Sequence, residues 1–473
     1  MTGGRPGLAG ERSTPSRRRA VVWLASSANI LVLADATIVL VALPSLADAL
    51  GFTAAQLPWV VNAYSLAFGA LLLPSGWAAD RYGPGRLFVG GLGLFGLGCV
   101  ICAVAGSVAL MLVGRAVQGV GGALGCPAAL ALVTGTRDPR ERTAGLALWS
   151  AAGAAAVAVA PVVGGTLTSA LGWRAVFWMP AVACLVVTVA AVRLTSTVKT
   201  VAAGPPAGGA WGADTSATGA STPGPSVHTG QTPPGRRGPR LPARSVAACA
   251  ILAVGSGAVV GTSYVSTLWL QEDAGLSPSA AGLALLPLSL GIVAGALVAP
   301  RLLRRWPSAS VTVLGLATAA VGAIGLAALV SVGTVGGAMA ALAVLGLGFG
   351  GQSVPVSLVA TSVPGEAGLA SASYQMSGQF GGALGLAALT AVALADGALV
   401  AIAAAALAAA TLITRAWRTA SAEPALVESH EVVDADSALQ PTGVGGEPDL
   451  DLDDDGLTGT ERGGGPRLSL HVG

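Results

Sequence analysis

The sequence predicts an all-α polytopic membrane protein built as two six-helix bundles, and three observations carry that prediction. Of the 473 residues, 53% are hydrophobic and 10% are charged, whereas soluble domains carry about 25% charged residues. The apolar residues gather into runs of about twenty, the length a helix needs to cross a bilayer, and the runs lack the period-two alternation of a transmembrane barrel. Finally, the runs form two sets of six with a long polar stretch between them.

The first set lies near 21–44, 57–78, 87–106, 109–133, 143–167 and 175–193. The second lies near 246–270, 279–300, 309–330, 335–359, 367–393 and 396–414. Residues 1–20 read as a short tail before the first bundle (21–193), and Arg17, Arg18 and Arg19 flank a first run too long for a cleavable signal peptide. Residues 194–244, with "GPPAGGAWGADTSATGASTPGPS" at their core, read as a flexible linker rich in Pro, Gly, Ser and Thr. The second bundle then occupies 245–414, and 415–473 form an acidic tail containing "DLDLDDDG" that reads as disordered. With both termini on the cytoplasmic side, every basic residue except Arg115 and Arg174 falls on that side, as the positive-inside rule requires. Arg174 follows Trp173 at an outer interface, where a long cationic side chain reaches water easily. The expected location is the plasma membrane of a bacterium.

Other chemistries find little support. All five cysteines (Cys99, Cys102, Cys126, Cys184, Cys249) fall in apolar runs and read as small core residues, so neither a disulfide framework nor a metal site is indicated. His228, His430 and His471 lie in the linker and tail, so no histidine relay crosses the membrane. No "GxxxxGK[ST]" phosphate loop is present, which argues against ATP-driven pumping. The basic excess is topogenic, and with 4% aromatic residues no nucleic-acid module stands out. No catalytic constellation converges.

What remains is Asp35, inside "LADATIVLVALP", and Arg115, inside "LMLVGRAVQGVGGA", the two formal charges well inside the apolar runs. A carboxylate near the middle of a membrane helix costs roughly 2.5–3.5 kcal/mol on insertion scales, so its retention calls for a role. Burial favours the neutral acid and a nearby cation favours the carboxylate. A conformational change that alters the Asp35–Arg115 separation would therefore tie protonation to shape. The alternative is a fixed ion pair that pins two helices. Arg115 shares its helix face with Met111, Gln118, Gly119 and Gly122, and the glycines allow close backbone approach.

These stretches carry a resemblance. "LADATIVLVALPSL" followed by "LPWVVNAYSLAFGALLLPSGWAADRYG" resembles the opening of drug:proton antiporters of the major facilitator superfamily, in the branch usually drawn with fourteen spans. The resemblance covers most of 21–414 and implies the major facilitator fold, with Asp35 in proton or substrate handling. "GWAADRYGPGR" resembles the loop signature between the second and third spans, implying a gating role for Gly76, Asp80, Arg81, Gly83 and Arg86, although Pro84 and Gly85 stand where the family favours basic residues. "LMLVGRAVQGVGGA" matches the fourth-span signature at Arg115, Gln118 and Gly119. "AVAPVVGGTL" resembles the fifth-span antiport signature through Pro161, Gly164 and Gly165, with Ala160 replacing the expected glycine. In the second half, "YVSTLWLQEDAGLSPSAAGLALLP" and "PGEAGLASASYQMSGQFGGALGLA" also resemble this branch. Gln118, Gln271, Gln352, Tyr374, Gln375 and Gln379 are the candidate polar residues of a substrate cavity, each equally able to serve as an interhelical hydrogen bond. The fourteen-span relatives carry an extra helix pair where this chain has its linker, so twelve spans are expected.

The function this implies is export of small lipophilic drugs or antibiotics by proton antiport, with no cofactor and the proton gradient as energy source. A proton-coupled symporter importing a small metabolite is the alternative on the same scaffold, and a membrane sensor or enzyme is the more remote one. With one carboxylate at membrane depth, the expected substrates are neutral or singly charged. The expected partners beyond them are protons and the lipid bilayer, with no nucleic acid, and the working unit is expected to be a monomer.

Overall fold

The computed structural model describes residues 15–135, 138–196, 241–362 and 367–393. The regular elements among them are all helical. In chain order they are α1 (Pro15–Leu50), α2 (Trp59–Tyr82), α3 (Pro84–Ala103), α4 (Val108–Thr134), α5 (Pro139–Leu171), α6 (Ala175–Ser196), α7 (Ala243–Leu268), α8 (Pro278–Leu303), α9 (Ser308–Ser331), α10 (Val335–Thr361) and α11 (Ala367–Ala393). A five-residue π-helical turn, Trp269–Asp273, continues α7. Ten of these helices are long and apolar enough to cross a membrane. The eleventh, α11, is made more polar by Ser371, Ser373, Gln375, Ser377 and Gln379. The run expected at 396–414, the core of the linker and the acidic tail lie outside the described residues.

Helix bounds follow the apolar runs to within a few residues, with α1 the main departure. It has 36 residues, which at 1.5 Å rise is about 54 Å, well beyond a hydrocarbon core of about 30 Å. It begins at Pro15, inside the stretch read as a tail, because its arginine-bearing first turns continue the helix past the apolar run. Pro44 lies inside α1, and Pro74, Pro127, Pro161 and Pro180 lie inside α2, α4, α5 and α6. Such prolines are tolerated where neighbouring helices take up the freed backbone groups.

The two halves repeat one pairing scheme. In the first, α4 packs on α2 and α3, and α1 on α5; in the second, α10 packs on α8 and α9, and α7 on α11. Across the halves, α5 meets α8 and α2 meets α11. Small residues make this packing possible where lipid supplies little drive between helices. A Cβ on Gly98 of α3 would lie 2.5 Å from the Gln118 nitrogen of α4, and one on Gly119 of α4 would lie 2.5 Å from the Tyr64 carbonyl oxygen of α2. Large apolar side chains such as Leu185, Leu297 and Leu384 face outward, as a lipid-facing surface requires.

Candidate functional site: a buried ion pair beside an apolar cavity

Asp35 projects from α1 into the interior of the first half, where α4 supplies Arg115 and Gln118. Asp35 and Arg115 are each 1% exposed and Gln118 is wholly buried. Arg115 Nη1 donates to Asp35 Oδ2 at 2.6 Å, and Gln118 Nε2 donates to Asp35 Oδ1 at 3.0 Å. The guanidinium is fixed from two further sides. Its Nε donates to the Val60 carbonyl of α2 at 2.8 Å, and it lies 4.7 Å above the centre of the Tyr64 ring. Tyr64 in turn directs its hydroxyl to the Val32 carbonyl of α1 at 3.4 Å. Four helices thus converge on one carboxylate, with α3 contributing Cys99 and Cys102 through their contacts to Gln118.

A buried pair of this kind is a weak stabiliser relative to apolar packing, but it is costly to break on one side, because the remaining charge is left without compensation. Its sequence signal was clear. Two charges at membrane depth had to meet, and the three-residue spacing of Arg115 and Gln118 puts both on one face of α4.

A cavity of about 270 Å³ lies between the halves. It is lined by α1 (Thr37, Leu40), α5 (Val157, Pro161), α7 (Ser256, Val259, Val260, Ser263), α8 (Leu285, Leu288, Ser289, Ile292) and α10 (Phe349). Among the described residues its polar groups are four hydroxyls, and no charged residue lines it. Successive helical residues are separated by about 100°, so Thr37 points roughly opposite to Asp35. One face of α1 therefore holds the ion pair and the other walls the cavity.

At the end where α1 stops and α8 begins, the halves touch main chain to main chain. A Cβ on Gly165 would lie 3.0 Å from the Pro278 carbonyl carbon, and Gly282 sits equally close against Pro161. Ser279 N–H donates to Ser169 Oγ at 3.0 Å. The π-helical turn aims Gln271 at α1, and its Nε2 donates to the Val41 carbonyl at 2.9 Å. The apolar core at that end also runs through both halves, with Tyr264 and Leu386 packed among residues of α1, α2 and α6. Pro161 belongs both to this contact and to the cavity, so the cavity begins where the contact ends.

The expected site residues separate accordingly. None of the six polar residues assigned to a substrate cavity lines this one. Gln118 is bound to the ion pair, Gln271 to α1, and Tyr374 to the Ser353 carbonyl at 3.3 Å. Gln352 is buried between Gly255 and Gly315, while Gln375 is exposed and Gln379 packs against Gly69. Gln118, Gln271 and Tyr374 are thus taken up by neighbouring groups, as polar side chains in membrane helices tend to be, whereas the buried Gln352 Oε1 has no hydrogen-bond partner among the described residues. Pro161, Gly164 and Gly165 do meet at a close-packing surface, Gly164 against the Ile38 backbone of α1 and Gly165 against α8. Gly83 has φ of +86° in the short turn between α2 and α3, and Arg81 and Arg86 are exposed. Gly76 faces open space, and the side chain of Asp80 lies outside the described residues. The hydroxyls on the cavity wall were missed because lone Ser and Thr in helices carry no distinctive signal. Thr37 and Ser263, for example, also donate to carbonyls of their own helices.

The model of the Major Facilitator Superfamily matches residues 25–386, which is most of the chain and includes the ion pair, the cavity wall and the inter-half contact. The chain belongs to the Major Facilitator Superfamily. Like the superfamily's other members it is a transporter rather than an enzyme, and a multi-pass membrane protein. Among its relatives in the superfamily, a puromycin resistance protein of Streptomyces alboniger is 33% identical over 403 residues, covering 78% of this chain and 80% of that one. A methylenomycin A resistance protein of Streptomyces coelicolor is 28% identical, covering 81% and 87% of the two chains. A tetracenomycin C resistance and export protein of Streptomyces glaucescens is also 28% identical, covering 77% and 74%. Among solved structures, a bacterial homolog to the human lysosomal transporter Spinster, in an inward-facing and unoccupied conformation, superposes with a TM-score of 0.63. It covers 87% of this chain and 96% of its own at 17% identity, a likeness of fold.

Proposed function

We propose that this transporter exports small lipophilic compounds, neutral or singly charged, by proton antiport with alternating access, and that Asp35 is the proton carrier. The observation that carries this reading is the division of α1 between two tasks. One face holds a carboxylate in a dry ion pair, and the opposite face walls an uncharged cavity between the halves. Protonation of Asp35 weakens its hold on Arg115 and frees α1 to move relative to α4, which reshapes the cavity wall. The proton and the substrate then act on one helix without competing for one atom.

The cavity supports the substrate class. Four hydroxyls amid aliphatic side chains suit a molecule with little charge, and nothing on the wall would neutralise a dication. The resistance and export names of the antibiotic-related kin agree with this direction of transport. A proton entering down the membrane potential supplies about 2.3 kcal/mol per 100 mV without any cofactor. In this reading the protein lies in a bacterial plasma membrane with both termini cytoplasmic. The bundles at 21–193 and 245–414 rock about the cavity, and the α5–α8 contact is the extracellular gate, closed here. The loop residues Gly76, Asp80, Arg81, Gly83 and Arg86 form a cytoplasmic latch.

The test uses inverted vesicles containing the protein, with a lipophilic fluorescent substrate and a pH-sensitive dye. Antiport predicts that acid-inside vesicles accumulate substrate while their lumen loses acidity, and that Asp35→Asn abolishes both signals. Accumulation only in right-side-out vesicles would establish symport, and substrate movement with no proton counterflow would end the antiport reading.

A further inference from the structure

Gln352 of α10 is 2% exposed, and its Oε1 has no hydrogen-bond partner among the described residues. An amide oxygen buried without a donor is destabilising, the more so at membrane depth. Hydroxyls on the same and adjoining helices are committed elsewhere. Ser353 donates to the Gly350 carbonyl at 2.9 Å, Tyr374 of α11 to the Ser353 carbonyl at 3.3 Å, and Thr312 of α9 to the Ser308 carbonyl at 2.8 Å. A buried polar group left in this state calls for an explanation, and a ligand is one.

The side chain is placed by two glycines of neighbouring helices. At its root, a Cβ on Gly315 of α9 would lie 2.7 Å from the Gln352 backbone nitrogen and 2.9 Å from its Cβ. At its tip, a Cβ on Gly255 of α7 would collide with Gln352 Nε2 and lie 3.1 Å from Cε2 of Phe349. The amide and the Phe349 ring therefore meet over one bare patch of α7 backbone. Phe349, about one turn before Gln352, belongs to the wall of the cavity between the halves, as does Ser256, the residue after Gly255. The ring is half-buried and also packs against the apolar cluster that contains Leu252, Leu316 and Val356. It stands at the boundary, facing the cavity that the amide beside it does not reach. A phenyl ring changes place by side-chain torsion alone, whereas the root of Gln352 is held against α9.

We propose that Gln352 is a substrate-binding residue concealed behind Phe349: when the ring turns aside, Oε1 accepts a hydrogen bond from an N–H or O–H group of the compound carried. The proposal rests on the reading of the cavity as the substrate site, and it narrows the substrate class to lipophilic molecules that carry a hydrogen-bond donor. The hydroxyls on the wall select weakly, because each can donate or accept, while a carbonyl oxygen only accepts. A site built to hydrogen-bond a substrate N–H or O–H discriminates against the analogue that lacks it. Gln352 is thereby the residue that sorts compounds of similar size and apolarity.

The experiment uses the full chain in proteoliposomes and two fluorescent lipophilic probes that the wild type transports, a secondary amide and its N-methyl tertiary amide. Binding and uptake are measured for wild type, Gln352→Met, Phe349→Ala and Ser289→Trp. Methionine keeps the length of glutamine and removes an unpartnered polar group, so that variant is expected to fold. The wild type is expected to bind the secondary amide about three- to tenfold more tightly than the tertiary one. Gln352→Met is expected to bring this ratio to about one by losing affinity for the secondary amide alone. Phe349→Ala is expected to keep the ratio and to speed association of the secondary amide. The proposal is overturned if the wild type binds both probes alike, if Gln352→Met keeps the ratio, or if it weakens both probes equally, as a packing role would. It is also overturned if Phe349→Ala abolishes the ratio, since the ring and not the amide would then discriminate. Ser289→Trp fills the cavity: if it binds both probes as the wild type does, the reading of the cavity as substrate site fails and the proposal with it, whereas loss of both probes upholds that reading whatever the ratios show.

Discussion

Arg115→Met isolates the energetic meaning of the ion pair. The guanidinium makes hydrogen bonds to Asp35, Gln118 and Val60 at 2.6, 2.9 and 2.8 Å, and rests over Tyr64, at 1% exposure. Methionine replaces its bulk but none of these bonds, leaving Asp35 with Gln118 as its one remaining donor. Truncating one partner of a buried pair costs about 3–5 kcal/mol, and that is the expected loss of stability. The double variant Asp35→Leu/Arg115→Met, which removes both charges, is expected to recover most of the loss. Unfolding of the purified protein in mixed micelles with rising sodium dodecyl sulfate measures both. A single variant within about 1 kcal/mol of wild type, or a double variant no more stable than the single one, would refute the reasoning, because a dry carboxylate cannot lose its cation so cheaply.

The remaining expectations concern the cavity, the gate and a turn. Ser289→Trp, which fills the space between the halves, is expected to lower drug resistance at least about tenfold in a susceptibility panel while leaving the protein folded, since the cavity holds only about 270 Å³. Gly165→Ala places a methyl group on the Pro278 carbonyl, so α5 and α8 must part. Cysteines introduced at Ser169 or Ser279 are expected to react faster with a membrane-impermeant maleimide in this background, and unchanged labelling would argue against the close contact. Gly83→Ala forces a side chain onto a residue at φ +86° and ψ 138°, at an expected cost of about 1–3 kcal/mol, read by the same detergent unfolding.

The sequence carried the fold and the ion pair because hydrocarbon permits so little else. Runs of twenty apolar residues must become helices, and two opposite charges at membrane depth must find each other. Asp35 and Arg115 were legible for that reason. Gln118 was assigned to the cavity, yet its position three residues after Arg115 ties it to the same face and hence to Asp35. Cys99 and Cys102 read as small core residues, and they are buried in the apolar cores of the first half, where they also touch Gln118. The cavity wall was not legible, because its hydroxyls and aliphatic side chains are the commonest residues of any membrane helix. Only the crossing of α1, α5, α7, α8 and α10 selects them.

The α5–α8 contact also bears on speed. Where Gly165 and Gly282 bring one backbone against another, the seam itself has few side chains to withdraw, and the interlocking to be undone lies beside it, where Tyr264 and Leu386 pack among residues of the first half. Any resistance to parting is therefore concentrated in that aromatic and aliphatic plug and not in the glycine seam, which can slide or lift without a change of rotamer.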